Sequence, residues 1–238
     1  FLYDKIKATW RKTMKKRIVI VLSVVFLIVS ILCIAYVMYS SNADMKINTD
    51  DKNIVNDLID KYNNDEIVGV LEIPDVLKTV VVKHSDNDYY LTHNIKKQKS
   101  ELGAVFMDYR VNPNDKKVLI YGHNSTRGNK LPFVVLDKYV NKSFYDKHKV
   151  IYLYTKDGKM TFDIFSAYVE VSDFDYVNID DYNGLTYLEH INKLKNKSNY
   201  DTNITLNKNS KIIILQTCNV ESGYDGSMKN TLVMGVLR

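Results

Sequence analysis

From residue 67 onward the chain is a succession of short apolar runs separated by polar or glycine-containing turns, and this pattern restricts the fold more than any other feature. Runs rich in Val, Ile, Tyr and Phe that are bounded by turn residues are typical of β-strands. Eight such runs are present, at 67–73, 79–83, 103–107, 117–122, 149–155, 160–171, 211–218 and 231–237. Eight strands with few helices favour a closed barrel, because closure leaves no exposed sheet edge. We therefore predict a mainly β fold built on an eight-stranded barrel.

Helical periodicity occurs at three places, one before this series of strands and two within it. Residues 49–64 put five apolar side chains on one helical face, with Thr49, Asp50 or Asp51 as N-cap; the five are Ile54, Val55, Leu58, Ile59 and Tyr62. A short helix is predicted over 131–139, and a longer amphipathic helix near 184–196, between the sixth and seventh strands. The sequence Lys156-Asp157-Gly158-Lys159 predicts a tight hairpin between the fifth and sixth strands, because Asp-Gly tolerates the positive φ angles of a type I′ turn. We expect the N-terminal helix to pack on the barrel.

Residues 18–37 contain no charged side chain. A helix of about 20 apolar residues is long enough to cross the hydrocarbon core of a bilayer. Seven Lys or Arg and one Asp precede this span in residues 1–17, whereas seven acids and three Lys follow it in residues 41–66. The positive-inside rule then puts the N-terminus in the cytoplasm and the rest of the chain outside. A cleaved signal peptide and a buried core helix are the alternatives.

This interpretation gives four segments: a cytoplasmic basic tail over 1–17, a transmembrane signal anchor over 18–39, an extracellular stalk and N-terminal helix over 40–66, and the barrel over 67–238. The prediction is a single-pass protein of the cell membrane with an extracellular barrel domain. The net charge of +5 belongs to the tail, because residues 1–17 alone sum to +6 and the remainder to −1. A nearly neutral body argues against nucleic-acid binding. No cluster of residues with metal-ligand spacing is present in the sequence, so we predict no metal and no cofactor.

Cys218 ends the run 211–218, in which four consecutive aliphatic residues indicate a buried strand. It is the one cysteine outside the predicted membrane span, so outside the cell it has no intramolecular disulfide partner. A single thiol in an oxidising setting indicates intermolecular pairing or use as a nucleophile. A buried core cysteine is the alternative.

Five histidines could serve that cysteine as acid or base. His123 directly follows a buried strand and Gly122, so a rigid element presents its imidazole. A hydrogen-bonded structural histidine is the alternative interpretation. The other four lie among polar or charged residues and are predicted to be on the surface: His84, His93, His148 and His190.

Two short segments resemble a family. Residues 121–124, Tyr-Gly-His-Asn, and residues 215–218, Leu-Gln-Thr-Cys, resemble the signature pair of the sortases, the cysteine transpeptidases of Gram-positive cell surfaces. Residues 68–74, 86–91 and 103–110 resemble further sortase landmarks in the same order. The Gly-His-Asn form and the two longer helices are similar to class B members.

The resemblance implies a membrane-anchored enzyme that cleaves a C-terminal sorting signal through a thioacyl-enzyme on Cys218. His123 would be the general acid and base. The surface protein would then pass to an amine of a cell-wall precursor or of a pilin. The resemblance also makes Gln216, Thr217 and Asn124 candidate substrate-binding residues.

Sortases carry an arginine on the last strand, and this chain departs from that pattern. The run at 232–235 places Asn230 at the corresponding position, with Lys229 beside it. Either Asn230 supplies a neutral donor, or Lys229 supplies the charge, or the enzyme is impaired. Arg110 and Arg238 are further candidates. A cysteine peptidase that only hydrolyses, and an impaired sortase-like surface binding module, are the alternative functions.

Overall fold

The structure is a computed structural model that describes residues 23, 26–31, 53–124, 131–171, 173–218 and 229–238. The chain separates into two compact units, Phe1–Ile47 and Asn48–Arg238. In the first unit the described residues, 23 and 26–31, are helical.

The predicted membrane anchor is corrected by the structure. A helix that crosses the hydrocarbon core needs about 20 residues, and within the described part of the chain no helix is both long and apolar enough to do so. The prediction of a single-pass membrane protein, with a cytoplasmic N-terminus and an extracellular barrel, is wrong on this finding. The predicted tail over 1–17 and most of the predicted span over 18–39 lie outside the described residues.

The second unit is a closed eight-stranded barrel, as predicted. Its strands follow the order β1-β2-β3-β4-β7-β8-β6-β5, and β5 closes the barrel on β1. The pairs β2–β3 and β4–β7 are parallel and the other pairs are antiparallel. The strands are β1 Ile67–Ile73, β2 Leu77–Val82, β3 Val105–Met107, β4 Lys117–Tyr121, β5 Val150–Thr155, β6 Gly158–Glu170, β7 Ile212–Cys218 and β8 Asn230–Leu237.

Alternation of side chains along the strands builds two apolar cores. One fills the barrel, with Val118 and Ile120 of β4 and Ile213 and Leu215 of β7 among its members. The other lies on the outer face of β4, β7 and β8 and includes Leu119, Ile214 and Leu232. Strands that are buried on both faces read as continuous apolar runs, which explains the four consecutive aliphatic residues of β7.

Two longer helices were predicted, and both are present. Helix α1, Ile54–Tyr62, buries Ile54, Val55 and Leu58, and the predicted caps at 49–51 lie outside the described residues. The segment predicted as a short helix at 131–139 is a 3₁₀ helix, Pro132–Val140, followed by helix α2, Lys142–Tyr145.

Helix α3, Tyr187–Asn196, covers the outer core. Thr186 and Glu189 form a capping box at its N-terminus, and Ile191 and Leu194 are fully buried. His190 is 1% exposed, so its predicted surface position was wrong. It lies on the buried face because it is four residues before Leu194, one turn away along the helix.

The hairpin between β5 and β6 is confirmed, although its turn differs from the predicted one. Thr155 pairs with Gly158, and Lys156 and Asp157 form the two-residue loop. Only Gly158 of this hairpin has a positive φ, 124°. The glycine therefore follows the turn and is not one of its central residues, as a type I′ turn would require.

Candidate active site

Cys218 and His123 lie at neighbouring strand ends. The parallel pair β4–β7 brings Tyr121 beside Gln216, and the two candidates follow two residues later on each strand. Because successive side chains alternate between faces, the two candidates lie on the same outer face as Tyr121 and Gln216. The parallel register therefore brings together an imidazole and a thiol that are 95 positions apart in the chain.

Hydrogen bonds continue the pairing beyond the end of β4. The amide of Gly122 donates to the carbonyl of Gln216 at 3.1 Å. The hydroxyl of Thr217 donates to the carbonyl of Gly122 at 2.8 Å. Thr217 is fully buried, so its side chain holds the strand ends together on the face opposite Cys218.

The orientation of the His123 ring is set by a backbone carbonyl. Nε2 of His123 lies 2.7 Å from the oxygen of Leu91, in the 3₁₀ helix Tyr89–Leu91. A carbonyl oxygen only accepts, so Nε2 carries a hydrogen and donates it. This leaves Nδ1 as the nitrogen that can exchange a proton with a reacting group.

Gly103 makes room for that ring. Its φ is +59°, and a Cβ at this position would lie 2.9 Å from Cδ2 of His123 and 2.5 Å from the carbonyl oxygen of Tyr90. Both the backbone conformation and the close approach require glycine. The loop before β3 therefore forms one wall of the histidine site.

The Cys218 thiol is exposed at the edge of the barrel. Desolvation by the surrounding protein raises the pKa of the thiol, and the nearby Asp137 carboxylate raises it further. The neutral thiol therefore predominates near pH 7. Since the thiolate is the nucleophile, a neighbouring base or cation is needed to produce it.

Asn230 lies directly across from Cys218 in the antiparallel pair β7–β8. Its Oδ1 accepts a hydrogen bond from Nε2 of Gln216 at 3.1 Å, and its Nδ2 donates to the hydroxyl of Tyr176 at 2.9 Å. Asn230 is 6% exposed. Two amides and one phenol thus form a neutral hydrogen-bonded row beside the thiol, in which the orientation of the Asn230 carboxamide is fixed.

The other candidates for the third position lie elsewhere or beside this row. Arg110 donates to the Asp108 carboxylate at 2.8 and 2.9 Å and to the carbonyl of Val177. Arg238 is paired with Asp163 at 2.8 Å. Lys229 is half-buried and immediately precedes β8. The two arginines are therefore committed to ion pairs with other residues.

Asn124 connects the end of β4 to Cys218. Its Nδ2 donates to the Cys218 carbonyl at 2.9 Å and to Oδ2 of Asp137 at 2.7 Å. These bonds are within the protein, so the predicted substrate-binding role of Asn124 competes with a supporting one. Gln216 is half-buried on the outer face, where its Nε2 donates to Asn230.

Sequence reasoning did not identify Asp137, Tyr176 or Gly103 as parts of the site. For Asp137 a signal was available, because it is the one charged residue among the apolar residues 132–137. Its burial at 4% exposure follows from that setting. The contacts of Tyr176 and Gly103 depend on residues far away in the chain, and no local pattern encodes them.

Comparison with known proteins shows which family the chain matches. Residues 71–238 match the model of the Sortase domain. The chain is 34% identical to sortase B of Listeria monocytogenes over 166 residues, which cover 68% of this chain and 66% of that protein. It is 30% identical to sortase B of Staphylococcus aureus over 179 residues, 74% of this chain and 71% of that protein.

A solved structure agrees with these sequence matches. The Staphylococcus aureus sortase B–substrate complex superimposes with a TM-score of 0.69 at 27% identity, covering 79% of this chain and 85% of that chain. The similarity therefore extends to the three-dimensional fold.

Proposed function

The chain belongs to the sortase family of cysteine transpeptidases, with class B members among its relatives, and from this premise we propose that Cys218 and His123 carry the reaction. The observation that supports this most directly is the parallel register of β4 and β7, which places both side chains on one face at one edge of the barrel. The substrate is a C-terminal sorting signal on a surface protein. The acceptor is an amine of a cell-wall precursor or of a pilin.

The proposed reaction has two acyl-transfer steps. The Cys218 thiolate attacks the carbonyl carbon of a threonyl peptide bond, a C–S bond forms, and the C–N bond breaks to release the downstream amine. His123 donates the proton that this amine takes up. An incoming amine then attacks the thioester, His123 accepts the amine's proton, and the thiolate leaves.

The raised pKa of Cys218 defines what His123 has to do. Desolvation and the Asp137 carboxylate favour the neutral thiol, so the thiol proton has to move to a base when the thiolate forms. Nδ1 of His123 is the nitrogen left by the bond from Nε2 to Leu91. A charged imidazolium next to sulfur then stabilises the thiolate that it has produced.

Asn230 is the proposed third residue of the site. One hydrogen of its Nδ2 bonds Tyr176, and the second is the donor that we assign to the developing oxyanion. Directly opposite residues in an antiparallel pair have Cβ atoms about 5 Å apart, which is within reach of a carbonyl attacked by Cys218. Lys229 is the competing candidate.

Intact-mass spectrometry of the protein incubated with a panel of sorting-signal peptides tests the proposal. We expect an acyl adduct on the wild-type chain that an added amine discharges as a ligated product, and no adduct on Cys218→Ala. His123→Ala should likewise fail to form the adduct, and its matched control is His148→Ala, because the His148 ring packs against Phe144 of α2.

The products separate the alternatives. Release of free peptide acid at the same rate with and without amine would support a hydrolytic cysteine peptidase. A wild-type chain that forms no adduct with any peptide but still binds one would support the surface binding module.

A further inference from the structure

A buried carboxylate lies beneath the candidate site. Asp137 belongs to the 3₁₀ helix Pro132–Val140 and is 4% exposed. Its helix contacts β7 and β8, and its residues Phe133 and Leu136 belong to the same core as Leu215 and Val233. Burial of a carboxylate is costly unless donors satisfy its oxygens.

The hydrogen bonds of Asp137 reach the strand ends that carry the site. Oδ2 accepts from Nδ2 of Asn124 at 2.7 Å, and Asn124 is the neighbour of His123. The same Nδ2 donates to the carbonyl of Cys218 at 2.9 Å. Oδ1 accepts from the hydroxyl of Thr231, and Thr231 is the neighbour of Asn230.

Each of these three hydrogen bonds therefore falls on, or next to, one candidate residue of the reaction. Because side chains alternate, Thr231 points inward toward Asp137 while Asn230 points to the outer face. A single rigid group thus connects the end of β4, the end of β7 and the start of β8. A carboxylate suits this task, since both of its oxygens accept, whereas a carboxamide has only one accepting atom.

We propose that Asp137 is a positioning residue that fixes His123, Cys218 and Asn230 relative to one another by bonding Asn124 and Thr231. This inference rests on the proposed function, in that the three residues are those assigned to the transpeptidation. Asp137 does not touch substrate and transfers no proton. It holds the strand ends in the register that the two acyl-transfer steps need.

The charge of Asp137 has an effect on the pKa of Cys218 that an experiment can detect. The carboxylate raises the pKa of the Cys218 thiol and so opposes thiolate formation. Among the described residues, the other ionisable groups near the thiol are His123 at the end of β4, Tyr176, whose pKa the Cys218 charge raises, and Lys229 before β8. Removal of the Asp137 charge alone should therefore make the thiol more acidic while it loosens the site.

The test compares Asp137→Asn with the wild-type chain by two measurements. We expect the rate of amine-dependent ligation to fall about 10²-fold, as a displacement near 1 Å of reacting groups can produce. The rate at which iodoacetamide alkylates Cys218 should rise at neutral pH, with its pH profile moved to lower pH. Asp163→Asn is the matched control, because Asp163 pairs with Arg238 on the other side of β8 from β7, and both rates should stay at wild-type values.

The outcomes divide clearly. Slower ligation together with faster alkylation supports the proposal, because a purely structural defect would leave the pH profile of alkylation in place. Wild-type ligation by Asp137→Asn overturns it, and so does slower ligation with an unmoved alkylation profile.

If Asp137→Asn does not fold, Thr231→Val replaces it, since it removes one bond to Asp137 and keeps the side-chain shape. A fall in ligation of about tenfold with an unchanged melting temperature supports the proposal, and unchanged ligation overturns it. Absence of ligation in the wild-type chain would contradict the proposed function instead, and the alkylation profile would still decide whether Asp137 acts on the thiol.

Discussion

Ionisable side chains lie close together at both ends of the strand pair β4–β7, and the two ends differ in their access to solvent. At the carboxyl end, His123 is half-buried and Cys218 is exposed. At the amino end, Lys117 of β4 and His190 of α3 are 2% and 1% exposed, and Nζ of Lys117 lies 2.8 Å from Nε2 of His190. Lys117 also donates to the carbonyl of Asn178.

Both basic groups at the buried end have lowered pKa values. Burial lowers the pKa of Lys117 to about 7 and the pKa of His190 to about 4, and the nearby charge of Arg110 adds to the first shift and that of Lys117 to the second. Perturbed groups often mark functional sites, so a search by pKa alone would select this pair. Tyr182 stacks on His190 at 4.5 Å and helps to seal it. What separates the two ends is therefore access to a substrate, and the more open pair is the one we assign to chemistry.

The largest expected effect comes from replacing the histidine at each end by glutamine and comparing the two variants. His123→Gln should lower the rate of ligation by about 10²–10⁴-fold, the usual contribution of a general acid and base. His190→Gln should leave that rate within a few-fold of wild type and lower the melting temperature instead. Single-turnover ligation and thermal unfolding, measured on both variants, check this pair of outcomes. Equal loss of ligation in the two variants would break the comparison, because the buried end would then contribute to the reaction.

The next effect concerns the third residue at the exposed end. Asn230→Ala should reduce ligation by about 10²–10³-fold, as removal of one oxyanion donor does, whereas Lys229→Met should change it by only a few-fold. The measurement is the ligation rate at saturating peptide, with the peptide dissociation constant determined separately. The reverse ranking would assign the third position to Lys229. Asn230→Arg sharpens the result, because a gain in rate would show that the chain works below the level an arginine supports.

Much of the barrel could be predicted from the sequence because strand formation depends on local features. Apolar β-branched runs located all eight strands to within two residues at each end. The pair His123 and Cys218 could be proposed because each follows a continuous apolar run, and such runs indicate strands buried on both faces. These inferences required only neighbouring residues.

The features that were not predicted depend on contacts between distant residues. Lys117 and His190 are 73 positions apart, and Asp137 and Thr231 are 94 positions apart. No local pattern indicates that a lysine at the start of a strand will meet a histidine in a later helix. The burial of His190 and the bonds of Asp137 are set by barrel closure, so they became visible only in three dimensions.

The smallest expected effect is the pH dependence that the buried end adds to stability. The pKa of His190 is about 4 in the folded protein, against 6.5 for an exposed histidine, so the unfolded chain binds more protons between these values. The free energy of unfolding should therefore have its full His190 contribution above pH 6.5 and lose it as pH falls toward 4, by at most about 3 kcal/mol. Denaturant unfolding at half-unit steps between pH 4.5 and 6.5 measures this slope.

The same series on His190→Gln should be flatter over that window. The window lies above the pKa values of ordinary carboxylates, so paired acids such as Asp108, whose pKa is lowered to about 2, contribute little to it. A wild-type slope in His190→Gln would show that protonation of His190 in the wild-type protein does not lower the free energy of unfolding. The wild-type imidazole would then accept a proton while it stays beside Lys117. The amino end of β4 would then tolerate charge as the carboxyl end does, and burial alone could not account for the difference between them.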